Sequence, residues 1–205
     1  MRFLALGDSY TIGEAVDVEG RWPMQLAAWL RDEGVALDDP RIIATTGWTT
    51  DELSAGIDAA EAEGPLGTFD LVSLLIGVNN QYRGRPLDEY VDQFDALLAR
   101  AIAFAGGRAD RVLVLAIPDW GVTPFGVQSG RDCAQIAAEL DAFNAAAQAV
   151  CAQYGVAFVD TAPVSRARGG DPAMVASDGL HPSAVLYTEW TRLALPVARA
   201  LLARA

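Results

Sequence analysis

Residues 2–11 read Arg2-Phe3-Leu4-Ala5-Leu6-Gly7-Asp8-Ser9-Tyr10-Thr11. A nearly unbroken apolar run ends in a glycine and passes directly into polar residues. An apolar run of this length, closed by a turn signal, reads as a strand buried on both faces, the kind found inside parallel sheets. Gly7 permits a sharp turn where the strand ends. The hydroxyl of Ser9 is therefore expected to project from the carboxyl end of the strand.

The pattern repeats along the chain. Residues 41–44, 71–75, 111–116 and 156–159 are further short apolar runs, separated by longer stretches with helical periodicity. Pro23 suits a first helical turn ahead of Leu26, Trp29 and Leu30. Thr49 with Glu52 fits a capping box at the start of a second helix. Leu87, Tyr90, Val91, Phe94, Leu97, Leu98 and Ile102 form one helical stripe. Residues 131–154 are Ala-rich and helical in pattern, and Ser183 is placed to cap a last helix that Pro196 is expected to kink. Strands alternating with helices predict a doubly wound α/β fold, and no repeat or linker divides the chain, so one domain is expected over residues 1–205. In such a sheet, ligands bind beyond the carboxyl ends of the strands.

Composition narrows the partners. The 205 residues are 52% hydrophobic and 20% charged, ordinary for a globular domain. The charge balance of 15 basic against 27 acidic residues gives −12 at pH 7. That field repels phosphate backbones and anionic headgroups, so neither nucleic acid nor a membrane surface is an expected partner. The first apolar run is too short for a signal peptide, and no stretch approaches a membrane span, so a cytoplasmic location is expected. Cys133 and Cys151 fall in one helical pattern. A continuous helix would hold them about 27 Å apart, beyond disulfide reach.

Four short segments carry chemistry. Gly7-Asp8-Ser9 follows the first strand, Thr45-Thr46-Gly47-Trp48 the second, and Gly77-Val78-Asn79-Asn80 the third. Asp178-Gly179-Leu180-His181 lies just before the last helix and holds the single histidine of the chain. Each segment alone also fits an ordinary turn. Together they supply a nucleophile (Ser9), a base (His181), an acid to orient it (Asp178) and three donors for an oxyanion: the N–H groups of Ser9 and Gly47 and the Asn79 amide. The first three segments sit at the end of the sheet where ligands bind. Trp48, Trp120 and Phe125 follow strands at the same end and are candidates for a substrate pocket, although loop packing explains them equally well.

These four segments resemble the signature blocks of the SGNH hydrolases, also called the GDSL lipase/esterase superfamily. The family's invariant Ser, Gly, Asn and His fall on Ser9, Gly47, Asn79 and His181, and its Asp-x-x-His block on residues 178–181. The resemblance spans nearly the whole chain, in the right order. It implies a flavodoxin-like three-layer α/β/α sandwich with a five-stranded parallel sheet, and ester hydrolysis with no metal or organic cofactor. The sequence departs at Tyr10, where the name-giving motif has Leu, and at Asn80, where the family usually has Asp.

The expected activity is hydrolysis of short-chain esters, acetyl above all, because no long lid insertion is evident. Two rivals share the scaffold. An acyltransferase or thioesterase would use the same acyl-enzyme, and a catalytically silent module would bind carbohydrate or protein there. A nucleotide site is discounted, since Gly7 is not followed by the remaining glycines of a phosphate-binding turn. Only neutral imidazole accepts a proton, so activity is expected to climb from mildly acidic to neutral pH.

Overall fold

The computed structural model describes residues 1–203. Five strands form one sheet: β1 (Phe3–Gly7), β2 (Arg41–Ala44), β3 (Leu71–Leu75), β4 (Val112–Leu115) and β5 (Ala157–Val159). Every pairing is parallel, and the order across the sheet is β2-β1-β3-β4-β5. The helices are α1 (Ser9–Ile12), α2 (Trp22–Asp32), α3 (Thr50–Ala62), α4 (Val78–Tyr82), α5 (Leu87–Phe104), α6 (Pro124–Gln128), α7 (Cys133–Tyr154), α8 (Ala162–Arg168) and α9 (Ala184–Leu202).

The apolar strands are buried as their composition requires. Leu4, Ala5, Leu6, Val72, Leu74 and Leu113 have no exposed surface, because helices cover both faces of the sheet. α2 and α9 pack against each other on one face, while α3, α5 and α7 follow one another across the other. The helical stripe expected from residue 87 onward lies in α5, whose Tyr90, Phe94, Leu97 and Leu98 are buried. Glu52 reaches back to the Thr49 N–H at 2.9 Å, and Ser183 accepts the Leu186 N–H, as the capping signals indicate. α9 runs on through Pro196 as one helix. Cys133 and Cys151 are free thiols near opposite ends of α7.

The strand order decides where the site lies. The chain leaves β1 for β2 on one side and later enters β3 on the other, so the order reverses between β1 and β3. A crevice opens at such a reversal, beyond the carboxyl ends of the strands. The register aligns those ends: Gly7 pairs with Ala44 of β2 and with Leu75 of β3. The residues that follow three different strands therefore emerge at one level, around one crevice.

Candidate active site

Ser9 is the first residue of α1, and Asp8 caps that helix by accepting the Tyr10 N–H at 3.0 Å. The turn depends on Gly7. A Cβ there would lie 2.2 Å from Thr11 Oγ1 and 2.4 Å from the Leu75 carbonyl oxygen, which is fixed in the sheet. Ser9 is 4% exposed, enough to be reached from the crevice and otherwise enclosed.

Asp8, next to Ser9 in the chain, is itself buried, and its Oδ2 has no hydrogen-bond partner among the described residues. Burial pushes its carboxyl up to about 7, against the opposing pull of the Tyr10 N–H. The folded protein thus holds a proton that the unfolded chain releases near the ordinary carboxylate pKa. Stability from this group is greatest below that ordinary value and declines as pH rises toward about 7. Urea unfolding followed from about pH 4 to about pH 8 is expected to show a loss of up to about 4 kcal/mol, at 1.36 kcal/mol per unit. Asp8→Asn should flatten that decline. An unchanged slope in the variant would assign it to other groups.

Gly47 sits in the loop after β2 with φ +88°, a conformation that disfavours any side chain. Its carbonyl accepts a hydrogen bond from Arg83 Nη2 at 2.7 Å. On the other flank, Thr46 Oγ1 donates to the Glu14 carboxylate in the loop after α1. Asn79 belongs to the short helix α4 after β3, and its Nδ2 donates to the Trp48 carbonyl at 2.9 Å. Only one of its two amide hydrogens is committed by that bond.

Asn80 is fully buried and ties α4 to the start of α3. Its Oδ1 accepts the Thr50 N–H at 3.1 Å, and its Nδ2 donates to Thr50 Oγ1 at 2.7 Å. Thr50 Oγ1 in turn donates to Gln93. The amide supplies both an acceptor and a donor, where an ionised carboxylate would be a buried charge. The departure from the family pattern at this position is therefore a neutral version of a loop tether, and Asn79 beside it remains in the crevice.

The histidine lies in a closed loop. Val175 and Pro182 form an isolated antiparallel bridge, and the Ala176 N–H donates to the His181 carbonyl at 2.7 Å. Within it Asp178 does two jobs. Its Oδ1 accepts the N–H groups of Leu180 and His181, each at 2.9 Å, while Oδ2 lies 2.6 Å from His181 Nδ1. Burial raises the Asp178 carboxyl, but the His181 ring and those two N–H groups outweigh it and hold it below the usual carboxylate range. An ionised acid at Nδ1 fixes the ring with its proton on that side and leaves Nε2 able to accept one. Tyr10 meets the other side of the ring edge-on, with centroids 5.6 Å apart.

One cavity of about 200 Å³ joins these pieces. Ser9, Gly47, Asn79 and His181 all line it, together with Tyr10, Thr46 and an apolar wall of Val78, Tyr82, Trp120, Phe125 and Leu180. Trp120 is buried, donates its indole N–H to Gln81 at 2.9 Å, and has Arg131 over its face. Tyr82 and Phe125 are partly exposed beside it, with ring centroids 5.4 and 6.1 Å from that of Trp120. Of the three aromatic residues singled out in the sequence, Trp120 and Phe125 line the cavity. Trp48 does not. Its indole covers Gly56 of α3, where an added Cβ would fall 2.1 Å from the ring. The left-handed turn at Gly47 delivers the Trp48 carbonyl to Asn79 and leaves its ring on the helix. Tyr82, Val78 and Leu180 were not singled out in the sequence, although Val78 adjoins Asn79, Leu180 adjoins His181, and Tyr82 lies three residues after Asn79.

The model of the GDSL-like Lipase/Acylhydrolase family matches residues 5–188. The chain belongs to this family. It is accordingly a carboxylic ester hydrolase. Solved structures agree in fold. TesA is similar at 24% identity with a TM-score of 0.75, covering 98% of this chain and 99% of its own. Axe2, an acetylxylan esterase from Geobacillus stearothermophilus, is similar at 19% identity and TM-score 0.70, covering 96% and 93%. Phospholipase A1 from Streptomyces albidoflavus NA297 is similar at 20% identity and TM-score 0.66, covering 97% and 98%. No curated protein matches the chain. In this GDSL-family hydrolase, no helix among the described residues is long and apolar enough to cross a membrane.

Proposed function

We propose that the chain is a single-domain serine esterase acting on short-chain acyl esters, acetyl esters first among them. Ser9 is the nucleophile, His181 the base and Asp178 the residue that orients it. The observation that carries this reading is one cavity whose wall includes Ser9, Gly47, Asn79 and His181, with Asp178 2.6 Å behind the ring.

The chemistry follows from those positions. His181 Nε2 takes the proton from Ser9 Oγ as the oxygen bonds to the ester carbonyl carbon. The carbonyl oxygen becomes an oxyanion, held by the N–H groups of Ser9 and Gly47 and the uncommitted amide hydrogen of Asn79. The C–O bond to the alcohol breaks as His181 returns the proton to the leaving oxygen. Water, deprotonated by His181, then releases the acid and restores Ser9.

Cavity size supports a short acyl group. At about 200 Å³ the cavity lies below the roughly 300–1,000 Å³ of pockets that take drug-sized ligands. With p-nitrophenyl esters from acetate to palmitate, kcat/KM is expected to be highest at the short end and to fall as the acyl chain outgrows that cavity. A steady rise toward palmitate would overturn the short-chain assignment. Equal activity in Ser9→Ala would overturn the triad.

A further inference from the structure

The loop that carries Gly47 is gripped from α4 at successive points, and one of the gripping residues lies outside the signature blocks. Arg83 Nη2 donates to the Gly47 carbonyl at 2.7 Å, Asn79 Nδ2 to the Trp48 carbonyl at 2.9 Å, and Asn80 Oδ1 accepts the Thr50 N–H at 3.1 Å. Asn79 and Arg83 are four residues apart, so they share a face of one helical turn. They meet two consecutive carbonyls. Arg83 Nη1 also reaches Glu52 at 3.3 Å, and Glu52 in turn holds the Thr49 N–H. The guanidinium therefore braces both ends of residues 47–52.

We propose that Arg83 is a positioning residue for the oxyanion-binding loop: by fixing the Gly47–Trp48 peptide it limits the rotation about Gly47 that would turn the N–H of the preceding peptide away from the oxyanion. This rests on the reading of Gly47 as an oxyanion donor. At φ +88° Gly47 has no side chain to restrict it, and glycine is the residue with the greatest backbone freedom. A charge-assisted bond to its carbonyl anchors the peptide that follows Gly47 and so narrows that freedom from one side. The pair with Glu52 is a different matter: both side chains are more than two-fifths exposed, and such a pair contributes little by itself. The effective contact is the one to the Gly47 carbonyl.

Arg83→Ala, Arg83→Lys and Glu52→Gln separate these roles. Glutamine at position 52 keeps the capping contact and leaves Arg83 free to hold Gly47. In Arg83→Ala, kcat on the best p-nitrophenyl ester is expected to fall about tenfold, part of the cost of losing a donor outright. KM and the shape of the pH profile stay as in wild type. Arg83→Lys recovers most of the loss, and Glu52→Gln stays within about twofold, as an exposed ion pair should. Hydrogen exchange in the free protein provides a readout that needs no turnover: the Trp48 amide, which donates to the Thr45 carbonyl at 3.3 Å within this loop, exchanges faster in Arg83→Ala and unchanged in Glu52→Gln. Wild-type exchange at that loop in Arg83→Ala overturns the proposal, and so does wild-type kcat in that variant. An inactive wild type instead removes the esterase reading, and the loop exchange still decides whether Arg83 restrains Gly47.

Discussion

Ser9→Ala is expected to lower kcat for ester hydrolysis by about 10⁴-fold or more, because members of a triad act as a unit and the nucleophile has no substitute. The fold should survive the change. Ser9 opens α1, where alanine is the better helix former, and the helix cap comes from Asp8 rather than from the Ser9 hydroxyl. The Ser9 backbone N–H remains in the variant, so one oxyanion donor persists and substrate binding is retained. A small residual rate above that of water follows from that donor together with Gly47 and Asn79. Turnover on the best p-nitrophenyl ester, with circular dichroism to show the fold intact, measures the effect. Wild-type protein should also be labelled at Ser9 by a serine-directed phosphonate, and Ser9→Ala should not. Labelling of the variant, or a loss smaller than tenfold, would mean that another group attacks the ester.

That the four candidate segments stand out in the residues alone has a physical reason. Each follows a strand that is buried on both faces, and such strands announce themselves as apolar runs without alternation. Once three of these are placed in a parallel sheet, Ser9, Gly47 and Asn79 must lie at one end of it, and the pairing of Gly7 with Ala44 and Leu75 puts them at one height. Asp178 and His181 are local, three residues apart in a turn that Asp178 itself closes. No long-range information is needed for that pair.

What stayed hidden depends on direction and distance. Trp48 follows Gly47 in sequence but lies over Gly56, because a left-handed residue reverses the path of the chain and a sequence carries no sign of where the next ring points. α1, α4 and α6 are four or five residues long, too short to show a period. Tyr82, at the end of α4, therefore gave no signal as a cavity wall. Arg83 meets a carbonyl 36 residues away, and an arginine in a polar turn reads as surface. Asn80 stands where the family usually has Asp, and the sequence alone gives no reason for the exchange. In the fold it is a satisfied buried amide, and only its long-range partners Thr50 and Gln93 explain it.

Asn79→Ala is expected to reduce kcat by about 10²–10³-fold, the range found when one oxyanion donor is removed. In the proposed mechanism the residue has two separable tasks. One amide hydrogen holds the Trp48 carbonyl at 2.9 Å, which fixes the loop carrying Gly47. The other is left for the developing oxyanion. Alanine removes both, so its loss combines a missing donor with a loosened loop. Asn79→Asp keeps the shape but offers no hydrogen to either partner, and its negative charge faces the position where the oxyanion forms. It should therefore be the slower of the two variants. Arg83→Ala loosens the same loop while leaving the Asn79 donor in place, and its smaller loss calibrates how much of the Asn79→Ala effect is positional. In both Asn79 variants KM should change little, since the donor acts on charge that exists only in the transition state. Wild-type turnover in Asn79→Ala on its best ester would remove Asn79 from the oxyanion hole. Aspartate outperforming alanine would show that holding the loop, rather than stabilising charge, is what this side chain does.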